Sequence, residues 1–264
     1  MNQGKELRMG RLFNKKSKRM VLVTADHGIC INPMKELGNM KKIVNDAVEG
    51  GADALLLTPG IARTVYQELI GTGVSLILRI DGTATSIGPD LTNDYLICSA
   101  EYALSLGADA VATLGIIGVA KEAELSRKIG TTAEECEKLG IPMLTEMLPA
   151  TILKHQYSNR ANRKWPTSTE VVQYSARVAS ELGADIVKGY YTGDKETFKE
   201  VIDYCPVPYV VLSGPASGDP EVFLRFVKEA IECGAGGVSV GRNVWTHKNP
   251  KELIKTICKI VHEI

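Results

Sequence analysis

The chain has 264 residues, 31 basic and 31 acidic side chains, a formal net charge of zero, and 44% hydrophobic and 23% charged content. These values suit one large α/β barrel or two small domains with ample core, and the balanced charge gives no global reason to expect nucleic acid or a membrane surface as partner. No apolar run reaches the roughly 18 residues of a membrane span and no signal peptide is recognisable, so a cytoplasmic protein is expected.

The charge is uneven along the chain. Residues 1–19 carry seven Lys or Arg (Lys5, Arg8, Arg11, Lys15, Lys16, Lys18, Arg19) against Glu6 alone. A basic arm for RNA or lipid is one reading of this segment; a solvated cap over the bottom of a barrel is the preferred one. Beyond it the informative pattern is a repeat. Gly51-Ala52-Asp53-Ala54, Gly107-Ala108-Asp109-Ala110, Gly183-Ala184-Asp185-Ile186 and Gly234-Ala235-Gly236-Gly237 each follow a helical stretch and precede a short apolar run. A glycine closing a helix, a small residue and then a strand is the chemistry of an αβ turn. Related turns stand at Gly73-Val74-Ser75, Gly140-Ile141-Pro142 and Cys205-Pro206-Val207-Pro208.

Eight strands are predicted, at 20–25, 53–58, 74–80, 109–114, 142–147, 185–189, 208–212 and 237–240. Most are continuous apolar runs, as parallel strands covered by helices require. Amphipathic stretches such as Glu170–Leu182 and Glu221–Cys233 lie between them. Eight βα units without a low-complexity linker point to a single (β/α)8 barrel domain over residues 1–264, with 1–19 as its cap; a doubly wound sheet is the structural alternative.

In a barrel, function gathers where strands end and the βα loops begin. Strand 1 leaves through Asp26-His27-Gly28, where Asp26 is read as a proton-handling group and His27 as a substrate contact or loop residue. Strand 3 leaves through Arg79-Ile80-Asp81 and strand 5 through Glu146-Met147-Leu148-Pro149, so that either carboxylate can face the cavity or hold a loop. Strand 6 reads Asp185-Ile186-Val187-Lys188-Gly189-Tyr190-Tyr191-Thr192-Gly193. A lysine in the last turn of a buried strand is costly unless paired or neutralised, and burial favours the neutral amine that attacks a carbonyl. The alternative for Lys188 is an internal ion pair with Asp26 or Glu146. Strands 7 and 8 leave through Ser213-Gly214-Pro215 and Val240-Gly241-Arg242-Asn243, small residues that leave backbone N–H groups open to a phosphate in its usual place in this fold.

The remaining features are plainer. The basic loop from Tyr157 to Trp165, with Arg160 and Arg163, is read either as a fold over the far end of a phosphorylated substrate or as a solvated loop. The six cysteines are far apart and form no CxxC pair, so buried thiols are expected rather than disulfides or a metal site. The four histidines have no metal-ligand spacing, and no GxGxxG follows a strand, so neither a metal nor a dinucleotide cofactor is expected.

The motifs Asp26-His27-Gly28, Ile186-Val187-Lys188 with Tyr191-Thr192-Gly193, Ser213-Gly214-Pro215 and Val240-Gly241-Arg242-Asn243 together resemble those of the DeoC/FbaB class I aldolase family, over about Arg11 to His262. The resemblance implies a barrel, a lysine Schiff base without cofactor or metal, phosphorylated ketose substrates, and homo-oligomers such as pentamers and decamers. By position it makes Lys188 the Schiff-base lysine and Asp26 a proton-handling or substrate-binding carboxylate. It makes Ser213, Gly214, Gly241 and Arg242 phosphate binders. The chain departs from the family at strand 5. Fructose-bisphosphate aldolases and aminodideoxyheptulosonate synthases of the family carry a tyrosine there, where this chain has Leu148; Glu146, on the same face of the strand, is the substitute acid or base. The quorum-signal thiolase branch also lacks that tyrosine. The leading expectation is a class I aldolase acting on a phosphorylated ketose. Acyl transfer to coenzyme A from a phosphorylated diketone, a transaldol-type synthase, and a phosphate-binding barrel without catalysis are the alternatives.

Overall fold

The computed structural model describes residues 2–30, 34–82, 85–151, 168–213 and 218–263. A short helix α1 (Gln3–Leu12) precedes the first strand. Strands and helices then alternate: β1 (Met20–Thr24), α2 (Met40–Gly50), β2 (Ala54–Leu57), α3 (Pro59–Val65), β3 (Ser75–Arg79), and a small hairpin of β4 (Asp81–Gly82) and β5 (Tyr95–Leu96). They continue through α4 (Ala100–Ser105), β6 (Ala110–Ile117), α5 (Glu122–Leu139), β7 (Met143–Pro149), α6 (Thr169–Glu181), β8 (Ile186–Gly189) and α7 (Lys195–Tyr204). The last elements are β9 (Tyr209–Leu212), α8 (Pro220–Glu232), β10 (Gly237–Val240), α9 (Arg242–Trp245) and α10 (Pro250–His262).

Eight strands close into a parallel barrel in the order β1-β10-β9-β8-β7-β6-β3-β2, and β2 pairs again with β1. The doubly wound alternative is thereby excluded. The predicted strands all form, but β6 and β7 run on to Ile117 and Pro149, past the expected ends. The β4–β5 hairpin was not expected; it is an antiparallel excursion between barrel strand 3 and its helix.

The Gly-Ala-Asp repeat explains how the lower rim is built. Gly51 closes α2 with φ of 86°, a left-handed conformation that leaves the chain pointing back into the sheet. The aspartate two residues later then accepts an N–H from the neighbouring strand. Asp53 takes Val21 N–H at 2.6 Å, Asp109 takes Leu76 N–H at 3.2 Å, and Asp185 takes Met143 N–H at 2.8 Å. Each of these carboxylates also meets a basic group at the barrel bottom. Lys5 lies 3.0 Å from Asp185, Arg11 2.8 Å from Asp109, and His262 Nε2 3.2 Å from Asp53. The basic N-terminal segment therefore has local acidic partners, and Lys5 is buried rather than solvated.

Inside the barrel, Met20, Leu22, Ala54, Leu56, Ile77, Ala110, Ala112, Leu144, Ile186 and Val210 form one apolar plug, closed from below by Leu12 with Met9 and Phe13. A larger apolar layer lies between the strands and the surrounding helices. At roughly 25 cal/mol per Å² of apolar surface removed from water, these two layers are the main favourable term in folding. Of the cysteines, Cys136, Cys233 and Cys258 are buried, while Cys30, Cys98 and Cys205 are half-buried. Among the described residues, no helix is long and apolar enough to cross a membrane.

One glycine is fixed by the closure itself. Gly237 has φ of 154°, and a Cβ added there would sit 2.2 Å from the carbonyl oxygen of Met20. Gly237→Ala is expected to force β1 from β10 and to cost about 3 kcal/mol or more, from clash and backbone strain together. Urea unfolding of the variant against the parent checks this, and equal midpoints would contradict it.

Candidate active site

The apolar plug stops one layer below the C-terminal mouth, and the inward positions above it become polar. Alternation carries this switch. On β3 the inward Ile77 is followed two residues later by Arg79, on β7 Leu144 by Glu146, and on β8 Ile186 by Lys188. Register then sets two of these groups side by side, because Glu146 and Lys188 are direct Cα partners across β7 and β8.

The side chains meet as the register requires. Lys188 Nζ donates to Glu146 Oε2 at 2.9 Å, and Arg79 Nη2 donates to the same oxygen at 2.5 Å. Arg79 Nε reaches Asp26 Oδ2 at 2.9 Å, and Nη1 lies 3.4 Å from Asp81 Oδ1. All five residues are buried. One guanidinium thus ties three carboxylates together, and one of those carboxylates holds the lysine.

This arrangement sets protonation. Burial works against the charge on Asp26, but Arg79, Lys188 and His27 outweigh it and bring the carboxyl down to about 2. Burial likewise opposes ionisation of Glu146, and Lys188 with Arg79 more than offsets it, so this carboxyl also sits below its ordinary range. Arg79 is held charged in spite of its burial by Asp26, Glu146 and Asp81. His27 is also lowered, which for an imidazole means loss of charge. Desolvation, reinforced by Arg242 and Lys188, lowers it to about 4, so its ring is neutral at pH 7. That ring packs edge-on against Trp245, with centroids 5.5 Å apart, and its Nδ1 is buried without a hydrogen-bond partner among the described residues.

These groups border a small cavity of about 40 Å³ that opens at the C-terminal mouth. Its lining comes from Glu146 of β7, Lys188 and Tyr190 of β8 and its exit, Leu212 and Ser213 at the end of β9, Ser239, Gly241 and Arg242 of β10 and its exit, and Thr24 and His27 at the end of β1. Gly241 allows this close packing, since a Cβ there would lie 2.7 Å from Thr24 Oγ1 and 2.8 Å from His27 Cε1. Arg242 is buried and follows Gly241 in the first turn of α9.

Lys188, Glu146, His27, Ser213, Gly241 and Arg242, all singled out from the sequence, therefore meet around one space. Asp26 is part of the same network but stands behind the cavity wall, on Arg79. Gly214, Arg160 and Arg163 lie outside the described residues. Leu148 is fully buried among apolar side chains and is not one of the residues lining the cavity. Of the two carboxylates left open at strands 3 and 5, Glu146 faces the cavity. Asp81 instead turns away, accepting Leu114 N–H at 2.6 Å. Sequence reasoning did not select Arg79 or Tyr190, although both carry a signal: each continues the inward parity of its strand, and Tyr190 stands two residues past Lys188.

A buried, ion-paired lysine at the C-terminal mouth of a closed parallel barrel places the chain in the class of (β/α)8 enzymes. Comparison with known proteins narrows the class. The sequence profile of the DeoC/LacD family aldolases matches residues 20–247. An uncharacterised aldolase of Saccharolobus solfataricus is 34% identical, with 98% of this chain and 95% of that protein covered. A 2-amino-3,7-dideoxy-D-threo-hept-6-ulosonate synthase of Archaeoglobus fulgidus is 36% identical, with coverage of 98% and 91%. Among solved structures, a Schiff-base-forming fructose-1,6-bisphosphate aldolase superposes with a TM-score of 0.85 at 29% identity, covering 98% of this chain and all (100%) of the other. An archaeal fructose-1,6-bisphosphate aldolase with its catalytic lysine bound to a carbinolamine intermediate gives 0.84 at 27% identity, covering 98% and 100%. The chain belongs to the DeoC/LacD aldolase family, whose members are class I, Schiff-base lyases.

Arg79 gives the site a measurable acid response. Asp26 has its folded-state pKa depressed from 3.8 to about 2, so its contribution, about 2 kcal/mol, is fully present above about pH 4 and is lost as the pH falls towards 2. Arg79→Met strands the buried Asp26 and takes one of two cations from each of Glu146 and Asp81, and is expected to destabilise the protein at pH 7 by about 3–5 kcal/mol. The deficit should shrink at about pH 4.5, where an unpaired buried carboxyl can take a proton. Urea unfolding at the two pH values measures this, and a deficit that grows on acidification would refute the assignment.

Proposed function

We propose that the protein is a class I aldolase acting on a phosphorylated ketose of the fructose 1,6-bisphosphate type, with Lys188 as the Schiff-base nucleophile. The observation that carries this reading is the position of the Lys188 amine, paired to Glu146 and facing Ser213, Gly241 and Arg242 across one cavity. A ketose phosphate spans that arrangement. Arg242 supplies charge, and the Ser213 and Gly241 region supplies small residues and N–H groups for the phosphate, leaving the carbonyl carbon over the lysine.

In this reading the Lys188 amine adds to the carbonyl carbon, and the carbinolamine loses water to give an iminium. The bond between C3 and C4 then breaks, its electron pair passing into the C2–C3 enamine, while the C4 hydroxyl proton goes to a carboxylate. Glu146 is the carboxylate in direct contact with the lysine, and Asp26, on the far side of Arg79, is the second. The enamine takes a proton at C3, and water hydrolyses the iminium to return the amine. The chain needs no metal or organic cofactor for these steps. A single-domain, cytoplasmic homo-oligomer, a pentamer or decamer, belongs to the same reading; exposed apolar side chains at Ile87, Tyr95, Leu96 and Ile97 support the association.

Leu148 favours a second reading in which the lysine is kept and the reaction changes. A transaldol-type synthase is supported by the relatedness to the Archaeoglobus fulgidus synthase. Acyl transfer from a phosphorylated diketone to coenzyme A is the other version. A substrate panel with and without coenzyme A separates them: turnover that does not change on adding coenzyme A removes acyl transfer.

Borohydride added with fructose 1,6-bisphosphate or dihydroxyacetone phosphate is expected to fix the sugar on Lys188, seen as added mass on the peptide holding that residue. Lys188→Met should abolish the adduct, and Glu146→Gln should reduce turnover by about 10²-fold or more, the scale of general acid–base catalysis. Absence of an adduct with every phosphorylated ketose tried would remove the aldolase reading.

A further inference from the structure

The ion pairs continue behind Arg79, away from the cavity. Lys128 comes from α5, outside the barrel, and is not among the cavity-lining residues. Its ammonium donates to Asp81 Oδ2 at 2.7 Å, to Asp94 Oδ1 at 2.6 Å and to the Leu114 carbonyl at 2.9 Å. Asp81 opens β4 and Asp94 immediately precedes β5, so one ammonium holds both sides of the β4–β5 hairpin. Lys128, Asp81 and Asp94 are all buried or nearly so, and the second Asp94 oxygen has no hydrogen-bond partner among the described residues.

These contacts form an unbroken path to the reactive amine. Lys128 holds Asp81, Asp81 faces Arg79 at 3.4 Å, Arg79 holds Glu146 Oε2 at 2.5 Å, and Lys188 ends on that same oxygen at 2.9 Å. Two cations therefore share one carboxylate oxygen at the cavity end, and two carboxylates share one cation at the outer end. Charges in such a buried row are weakly screened, so a change at one end is felt at the other.

We propose that Lys128 is a positioning residue for Lys188: by neutralising Asp81 it leaves the charge of Arg79 to Glu146, which weakens the hold of Glu146 on the lysine ammonium. This deepens the aldolase reading and rests on it only in taking Lys188 as the nucleophile. The sign follows from the row. Without the ammonium of Lys128, Asp81 draws on Arg79, Glu146 is less compensated, and the protonated form of Lys188 is favoured. Asp94 acts in the opposite sense, because it competes with Asp81 for Lys128. Burial, with the negative charge of Asp81, pushes the Asp94 carboxyl up to about 7 against the pull of Lys128 and Arg79, so this competition is strongest above neutral pH. Among the described residues, the charged and titratable groups around Lys188 are Glu146 from β7, Arg79 from β3, Asp26 and His27 after β1, and Arg242 from α9; the outer row reaches it through Arg79.

The test needs no sugar. Reductive methylation with formaldehyde and cyanoborohydride, followed across about pH 6 to 10 by peptide mass spectrometry, reads the availability of the Lys188 amine. Lys128→Met should move the midpoint for Lys188 up by about one pH unit, equal to about 1.4 kcal/mol. Asp94→Asn should move it down by about half a unit, and Lys128→Arg should stay near the parent. Opposite shifts support the positioning role, because damage to the fold alone would not give them. Coincident midpoints, or shifts of one sign in both variants, overturn it. If Lys128→Met does not fold, Asp94→Asn decides alone, and the absence of a downward shift refutes the proposal. Borohydride trapping with fructose 1,6-bisphosphate, run on the same proteins, reports separately on the substrate.

Discussion

The site depends on one guanidinium. Burying Asp26, Asp81 and Glu146 together would be prohibitive without a cation among them, and Arg79 supplies it with a planar fork that meets each carboxylate from a different nitrogen. A lysine at position 79 would offer one point charge in place of that fork. Everything at the mouth follows from this geometry: Asp26 and Glu146 stay ionised, Glu146 is aimed at Lys188, and the apolar plug below ends in a fixed polar floor.

The floor also divides the labour of the residues above it. Groups bound to Arg79 are locked as carboxylates, whereas His27 beside them is neutral at pH 7 and has an unpartnered ring nitrogen among the described residues. Two neighbouring residues in the sequence, Asp26 and His27, are thus both held deprotonated at pH 7, by different means: the carboxylate by its contact with Arg79, the imidazole by burial. The same cationic surroundings favour the charge of one and oppose the charge of the other.

Much of the barrel was legible because its signals are local. The glycine at each αβ turn and the continuous apolar strands fix the eight-unit count, and alternation then places Glu146 and Lys188 on one face. The acidic residue of the repeat was visible, but its role, bonding an N–H of the adjacent strand, depends on which strands are neighbours. Arg79 was missed for the same reason. Its parity says that it points inward, but two of its three partners, Asp26 and Glu146, lie far away in sequence and only the folded sheet brings them to it. Lys128 gave no signal at all, being a helical lysine among other charged residues until Asp81 and Asp94 are placed beside it. Leu148 shows the reverse case. Its identity marks a departure from the family, and its environment, apolar and away from the cavity, shows that no polar group is called for at that position.

In the excursion between barrel strand 3 and its helix, Asp81 opens β4 and Asp94 stands just before β5, and both are fastened to the ammonium of Lys128. A loop fastened on both sides at its base keeps that base in place, so a tag or reporter attached near the exposed Ile87 is expected to leave the fork of Arg79 where it is. For an engineer this is a docking port a short way from Lys188; for evolution it is a place where new recognition elements can be tried without disturbing the ion pairs at the barrel mouth.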